Sequence, residues 1–154
     1  MKAYRELQTR WLAEAVDSSA VRTAKFKLVF CHIPLYDPRK NQNPGDVEPD
    51  DDDPRYTHPW ASWQRPCAMM WGPLFTRAGV QLVITGHQHV FRYNPPVRGR
   101  TWGHMVGGGP DFVPGASNSY PTVIEGHVAD GHLQITVHDA GNNRIVCALA
   151  IPPA

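Results

Sequence analysis

The apolar positions of the chain fall into short runs whose spacing changes character along its length. Tyr4, Leu7, Trp11, Leu12 and Ala15 recur at helical intervals, which predicts an amphipathic helix over residues 3–17 with those side chains on its buried face. Phe26 to Cys31 follows as a strand, apolar on both faces from Leu28 onward, as an interior strand covered on both sides should be. Between Pro34 and Pro66 the periodicity vanishes, and prolines and the acidic run Asp50 to Asp53 punctuate the segment. A loop of that length inside a small domain is usually functional or disordered. Pro66 to Ala78 predicts a helix ending near Gly79, which Gly72-Pro73 kinks or divides in two. Val80 to Thr85 is a second buried strand. Thr101 to Val106, Thr122 to Val128, Leu133 to Asp139 and Arg144 to Ile151 read as further strands, with a tight hairpin at Asp130-Gly131. This order of elements predicts a mixed α/β layered fold.

Composition narrows the picture. A chain of 154 residues suffices for one domain with a real core and is too short for two ordinary ones. The net charge of +1 gives no bulk attraction to nucleic acid or to a membrane surface. No apolar run approaches the roughly 20 residues of a transmembrane helix. Met1 to Arg10 is polar and lacks the apolar core of a signal peptide, so the chain as it stands reads as cytoplasmic. Cys31, Cys67 and Cys147 are widely spaced and form no CxxC pair, which argues against a disulfide framework and against a thiolate zinc site.

The chemistry concentrates at strand ends. Leu28-Val29-Phe30-Cys31 runs into His32-Ile33-Pro34, and Leu82-Val83-Ile84-Thr85 runs into Gly86-His87-Gln88-His89. Ligands of layered α/β folds collect at the carboxyl ends of strands. If the two strands are neighbours, His32, His87 and His89 converge. Gly86 is expected to make the sharp turn, and Pro34 to fix the exit from the first strand. Two histidines spaced i, i+2 can turn toward one point or toward two adjacent points, and either suits a transition metal.

Other histidines read as ordinary. His104 alternates with Trp102 and Val106, as a hydrogen-bonded packing residue would. His132 and His138 share a solvent face with Gln134 and Thr136, opposite Leu133, Ile135 and Val137, and His127 lies on an outward face with Glu125. The Asp50 to Asp53 run lacks the Gly and Glu of a calcium loop and reads as solvated. Tyr36, Trp60, Trp63 and Arg92 could line a substrate mouth, although Trp60 and Trp63 could equally cap the core.

His-x-Pro-Leu-Tyr after one apolar strand and Gly-His-x-His after another resembles the calcineurin-like metallophosphoesterases, and within them the purple-acid-phosphatase-type branch. Trp11-Leu12, Gly79 to Thr85, His89-Val90-Phe91-Arg92-Tyr93, Gly107-Gly108-Gly109 and Asp139-Ala140-Gly141 are similar to the family pattern, and the likeness runs from about residue 4 to 150. It implies the C-terminal half of a mixed-sheet αββα sandwich, in a single domain over residues 1–154 with a long loop at 34–66. The Asp-x-His, Gly-Asp-x-x-Asp or Tyr, and Gly-Asn-His motifs of the family's preceding half do not occur here. By the family's scheme His32 and His87 would hold one metal and His89 the other, and His58, in the long loop, would face substrate, although as a loop residue it reads more simply as solvated. The intact domain would use two iron, zinc or manganese ions and a hydroxide nucleophile on a phosphoester, while this chain alone would hold at most one ion loosely. A separately encoded or preceding N-terminal half would be the partner, and an exposed apolar sheet edge its sign. The alternative is a noncatalytic binding or structural module that keeps the fold without the catalytic half.

Overall fold

The computed structural model describes residues 2–35, 61–110 and 113–154. Two sheets lie face to face, and the two long helices cover the outer side of one of them. The mixed sheet contains β1 (Leu28–Phe30), β2 (Leu82–Thr85), β3 (Arg92–Asn94) and β4 (Gly103–Val106) in the order β1-β2-β4-β3. β1, β2 and β4 run parallel, and β3 pairs antiparallel with β4. β5 (Thr122–Ala129), β6 (His132–Asp139) and β7 (Arg144–Ile151) form a three-stranded antiparallel sheet with β6 central. The mixed α/β sandwich expected from the element order is the architecture observed.

The apolar pattern explains the layering. All four residues of β2 are buried. Val83 packs with Cys67, Trp71, Phe75 and Trp102 on the helical side, while Leu82 and Ile84 meet Leu133, Ile135 and Val137 of the facing sheet. A strand buried on both faces must be apolar throughout, which is why alternation is absent there. β6, covered on one face only, alternates as expected, with Leu133, Ile135 and Val137 inward. The hairpin at Asp130-Gly131 has φ of 50° and 76°, the left-handed pair that a type I′ turn demands.

Several expectations are corrected. The helix α1 (Lys2–Val16) does not bury the anticipated stripe: Tyr4, Leu7 and Trp11 are 65%, 54% and 66% exposed. The face toward the core carries Thr9, Leu12 and Val16. The indole N–H of buried Trp71 needs an acceptor, and the Thr9 hydroxyl supplies it at 2.9 Å, which sets the rotation of the helix. A short helix, α2 (Ser19–Thr23), unanticipated from the sequence, follows with Ser18 as its N-cap.

The third helix, α3 (Ala61–Ala78), starts earlier than expected and is continuous through Pro66 and Pro73. An interior proline costs about 3 kcal/mol. Burying large side chains such as Trp71 and Phe75 returns about 1.5–3 kcal/mol each, so the packed face holds the helix together. β1 is shorter than expected and lies at the sheet edge among the described residues, with Phe30 72% exposed. β3 falls where no strand was anticipated. Among the described residues, no helix is long and apolar enough to cross a membrane.

The β6–β7 turn is organised by one carboxylate. Asp139, out of contact with solvent, accepts hydrogen bonds from the Gly141 and Asn142 N–H groups, the Asn142 amide and Arg144 Nε. The Asn142 amide foremost, then Arg144 and the two backbone donors, hold the carboxyl below its usual range against the upward push of desolvation. A carboxyl depressed by folding stabilises above its unfolded value, about 4, and that contribution is lost as pH falls through the lower folded value. Denaturant unfolding of wild type and Asp139→Ala should therefore differ most near neutral pH and converge in acid. A gap that stays constant down to about pH 2 contradicts this role.

Candidate metal centre at the strand ends

The ladder between β1 and β2 continues past the strands themselves. Cys31 N–H donates to the Ile84 carbonyl at 3.1 Å, and Gly86 N–H to the His32 carbonyl at 3.0 Å. Residues 32 and 86 are thereby backbone neighbours, although 54 positions apart, as parallel pairing requires. His32 and His87 meet there: His32 Nε2 and His87 Nδ1 are 3.1 Å apart, with the rings nearly perpendicular at 81°.

Gly86 does not make the turn, contrary to expectation; His87 and His89 do. Their φ values are 69° and 53°, in the left-handed region that a side chain disfavours, though histidine tolerates it better than most. Gln88 N–H donates to the Gly86 carbonyl at 2.8 Å across His87. A bond spanning one residue of positive φ is the rarer, strained form of γ-turn. Such strain persists only where the surroundings over-determine it.

Those surroundings are visible. Arg92 donates through Nη1 to Gln88 Oε1 at 2.9 Å and through Nε to Asn94 Oδ1 at 3.0 Å, so its guanidinium braces the turn. The segment at 113–120 straps the far side. Ser119 Oγ donates to the His89 carbonyl at 3.1 Å, Phe91 N–H donates to the Asn118 carbonyl at 2.8 Å, and the Asn118 amide donates to the Phe91 carbonyl at 2.6 Å. Sequence reasoning missed Asn118 and Ser119, because a polar Ala-Ser-Asn-Ser loop reads as a generic turn. The His89 ring lies against Gly109, where a Cβ would come within 2.7 Å of its Cγ and Cδ2.

Zinc–imidazole bonds of about 2.0–2.1 Å at tetrahedral or octahedral angles place two ligand nitrogens roughly 2.9–3.4 Å apart. The 3.1 Å between His32 and His87 is a hydrogen bond between the two rings, and that spacing also falls in the interval of adjacent ligands on one cation. Among the described residues, no group of three or more His, Cys, Asp or Glu side chains could complete a site. Cys31 offers no help: burial, and secondarily Cys67, push its thiol up to about 12, and it donates to the Ile33 carbonyl at 3.6 Å. Cys67 is pushed up to about 11, again chiefly by burial.

His104 is buried in β4 with Nε2 3.4 Å from Thr85 Oγ1, as a packing histidine should be. His58, Tyr36, Trp60 and the Asp50 to Asp53 run lie outside the described residues. Beside Gly86 a groove of about 500 Å³ opens between the sheets, lined by Leu28, Phe30, Ile84, Ile124 and Ile135.

No protein-family model and no curated protein matches the chain. Among solved structures it is similar to GAP50, the anchor in the inner membrane complex of Plasmodium, at 15% identity and a TM-score of 0.69. That match covers 100% of this chain and 44% of the other, so the chain spans less than half the length of that neighbour. Weaker matches are two Vps29 structures from Entamoeba histolytica: a single mutant at 16% identity, 54% and 46% coverage and TM-score 0.38, and the wild type complexed with zinc at 19%, 53%, 46% and 0.36. The chain thus shares its mixed α/β fold with part of GAP50.

The strain at His87 is measurable. Comparing His87→Gly with His87→Ala cancels the lost imidazole, and only the alanine keeps the positive-φ cost. The glycine variant should unfold with a free energy higher by about 1 kcal/mol, against the usual preference for alanine. Equal stability, or a more stable alanine variant, contradicts the strained turn.

Proposed function

We propose that this chain is the C-terminal portion of a metal-dependent phosphoester hydrolase, with His32 and His87 holding one ion and His89 serving a second in the intact domain. The observation that carries the reading is the convergence of His32 Nε2 and His87 Nδ1 to 3.1 Å at the carboxyl ends of adjacent parallel strands. An ion held there supplies activation of water and neutralisation of phosphoryl charge. The chain's own part is to present imidazole nitrogens at a fixed separation, on a turn braced by Arg92 and strapped by Ser119. Iron, zinc and manganese all suit nitrogen donors.

Two imidazoles leave half or more of a coordination sphere to other donors. We propose that an N-terminal half-domain, joined or separate, provides them. The open side of the sandwich supports this. Phe30 is 72% exposed at the β1 edge, and Val128, across β5 from buried Leu133, is 61% exposed. Both belong to sheet edges bordering the same apolar groove between the sheets. The second reading is a noncatalytic module, favoured by the small donor set and by the fold of GAP50, described as an anchor.

Metal analysis of the purified chain and of the His87→Ala, His89→Ala double variant decides the first half of this reading. The wild type should retain up to one equivalent of zinc or manganese and the variant none; equal content in both rules out the site. Hydrolysis of a chromogenic phosphomonoester should be weak or absent for the chain alone and appear on addition of a phosphoesterase N-terminal half. Phe30→Glu should abolish that recovery. Metal binding without turnover in any combination favours the noncatalytic module.

A further inference from the structure

Three glycines follow β4, and the space around two of them differs in kind. A Cβ on Gly108 would lie 1.9 Å from the Tyr120 carbonyl oxygen, a backbone atom that cannot step aside. The three atoms nearest to a Cβ on Gly109 would instead all belong to one side chain: Cγ and Cδ2 of His89 at 2.7 Å, and its Nε2 at 3.2 Å. Neither glycine has a positive φ, so conformational freedom does not explain glycine at 109. What position 109 provides is a flat seat for an imidazole.

His89 is held from its other side as well. Its carbonyl accepts from Ser119 Oγ at 3.1 Å, and that Ser119 hydroxyl in turn accepts from Val113 N–H at 2.7 Å. Its own backbone is in the left-handed region at φ 53°. A ring on a strained backbone, 30 positions in sequence from the residue that holds its carbonyl, is positioned by the tertiary structure and not by its own rotamer preference. The partners that orient a metal-ligating histidine typically affect metal affinity by 10–100-fold.

We infer that Gly109 is a positioning residue for His89: the missing side chain at 109 sets the plane in which the imidazole lies and so the direction its nitrogens face. Ser119 fixes the backbone from which that ring projects. The inference rests on the reading of His89 as a ligand only for its consequence on metal; the orientation itself is a property of the metal-free chain.

The test is Gly109→Ala, read in two ways. In the metal-free protein, side-chain nitrogen–proton correlation spectra of the histidines should show the His89 signals displaced while those of His32, His87 and buried His104 stay in place. Zinc titration calorimetry, which in the chain alone reads the ion at His32 and His87, should be unchanged, as should the melting profile. His89 signals that do not move, or all histidine signals moving together, overturn the inference. If wild type binds no zinc, the metal reading fails while the spectra still decide the positioning. Should Gly109→Ala fail to fold, the Gly109→Ala, His89→Ala double variant decides: with the ring removed the methyl has room, and recovery of the fold assigns the clash to the imidazole. A double variant that remains unfolded places Gly109 in backbone packing and overturns the proposal.

Discussion

The hydrogen bond from the Gly86 N–H to the His32 carbonyl, 3.0 Å long, carries the β1–β2 ladder beyond the strands and sets how far apart two imidazoles can be. It depends on β2 being anchored: with all four residues buried between a helical layer and a second sheet, that strand cannot slide. A one-residue slip would turn Val83 toward the antiparallel sheet and Ile84 toward the helices, disrupting both cores at once. The register Phe30 to Ile84 is therefore enforced by packing on two faces, and the site inherits its precision.

Beyond the ladder the geometry is held against a cost. Two histidines with positive φ carry about 1–2 kcal/mol of strain each. The bonds around them, from Ser119, Asn118, Arg92 and Gln88, contribute about 0.5–1.5 kcal/mol each. Strain and bracing are thus of similar size, and no single bond suffices. The glycine seat at 109 adds no attraction of its own; it removes an obstacle. This is the economy of a site whose side chains must point where their own backbones would not send them.

The same fold that completes the histidine pair leaves one side of the sandwich open. β1 and β5 both end their sheets beside the groove, and Phe30 and Val128 show apolar side chains to solvent there. An edge strand with an exposed aromatic side chain is a place where another strand pairs. In the proposed reading, the small donor set among the described residues and the open β1 edge have one origin, since a strand added beside β1 would end near His32.

Much of this was legible in residue order. β2, β6, β7 and the Asp130-Gly131 hairpin follow from apolar runs, alternation and turn chemistry, because those signals are local. So did the nomination of His32, His87 and His89, since strand-end histidines stand out against apolar runs. The rotation of α1 was not legible: Tyr4, Leu7 and Trp11 form the better apolar stripe, yet the need of the Trp71 indole for the Thr9 hydroxyl, 62 positions away, overrode it. The residue making the turn was misjudged for a similar reason. Glycine at 86 is the cheaper place for a positive φ, but the positive φ falls at His87 and His89, beside the bonds from Arg92 to Gln88 and from Ser119 to the His89 carbonyl. By itself the sequence determined where the longer strands lie and which histidines stand at strand ends. Only the tertiary structure decided which of those side chains face each other, because the contacts that aim them join residues 20 to 60 positions apart, where periodicity carries no information.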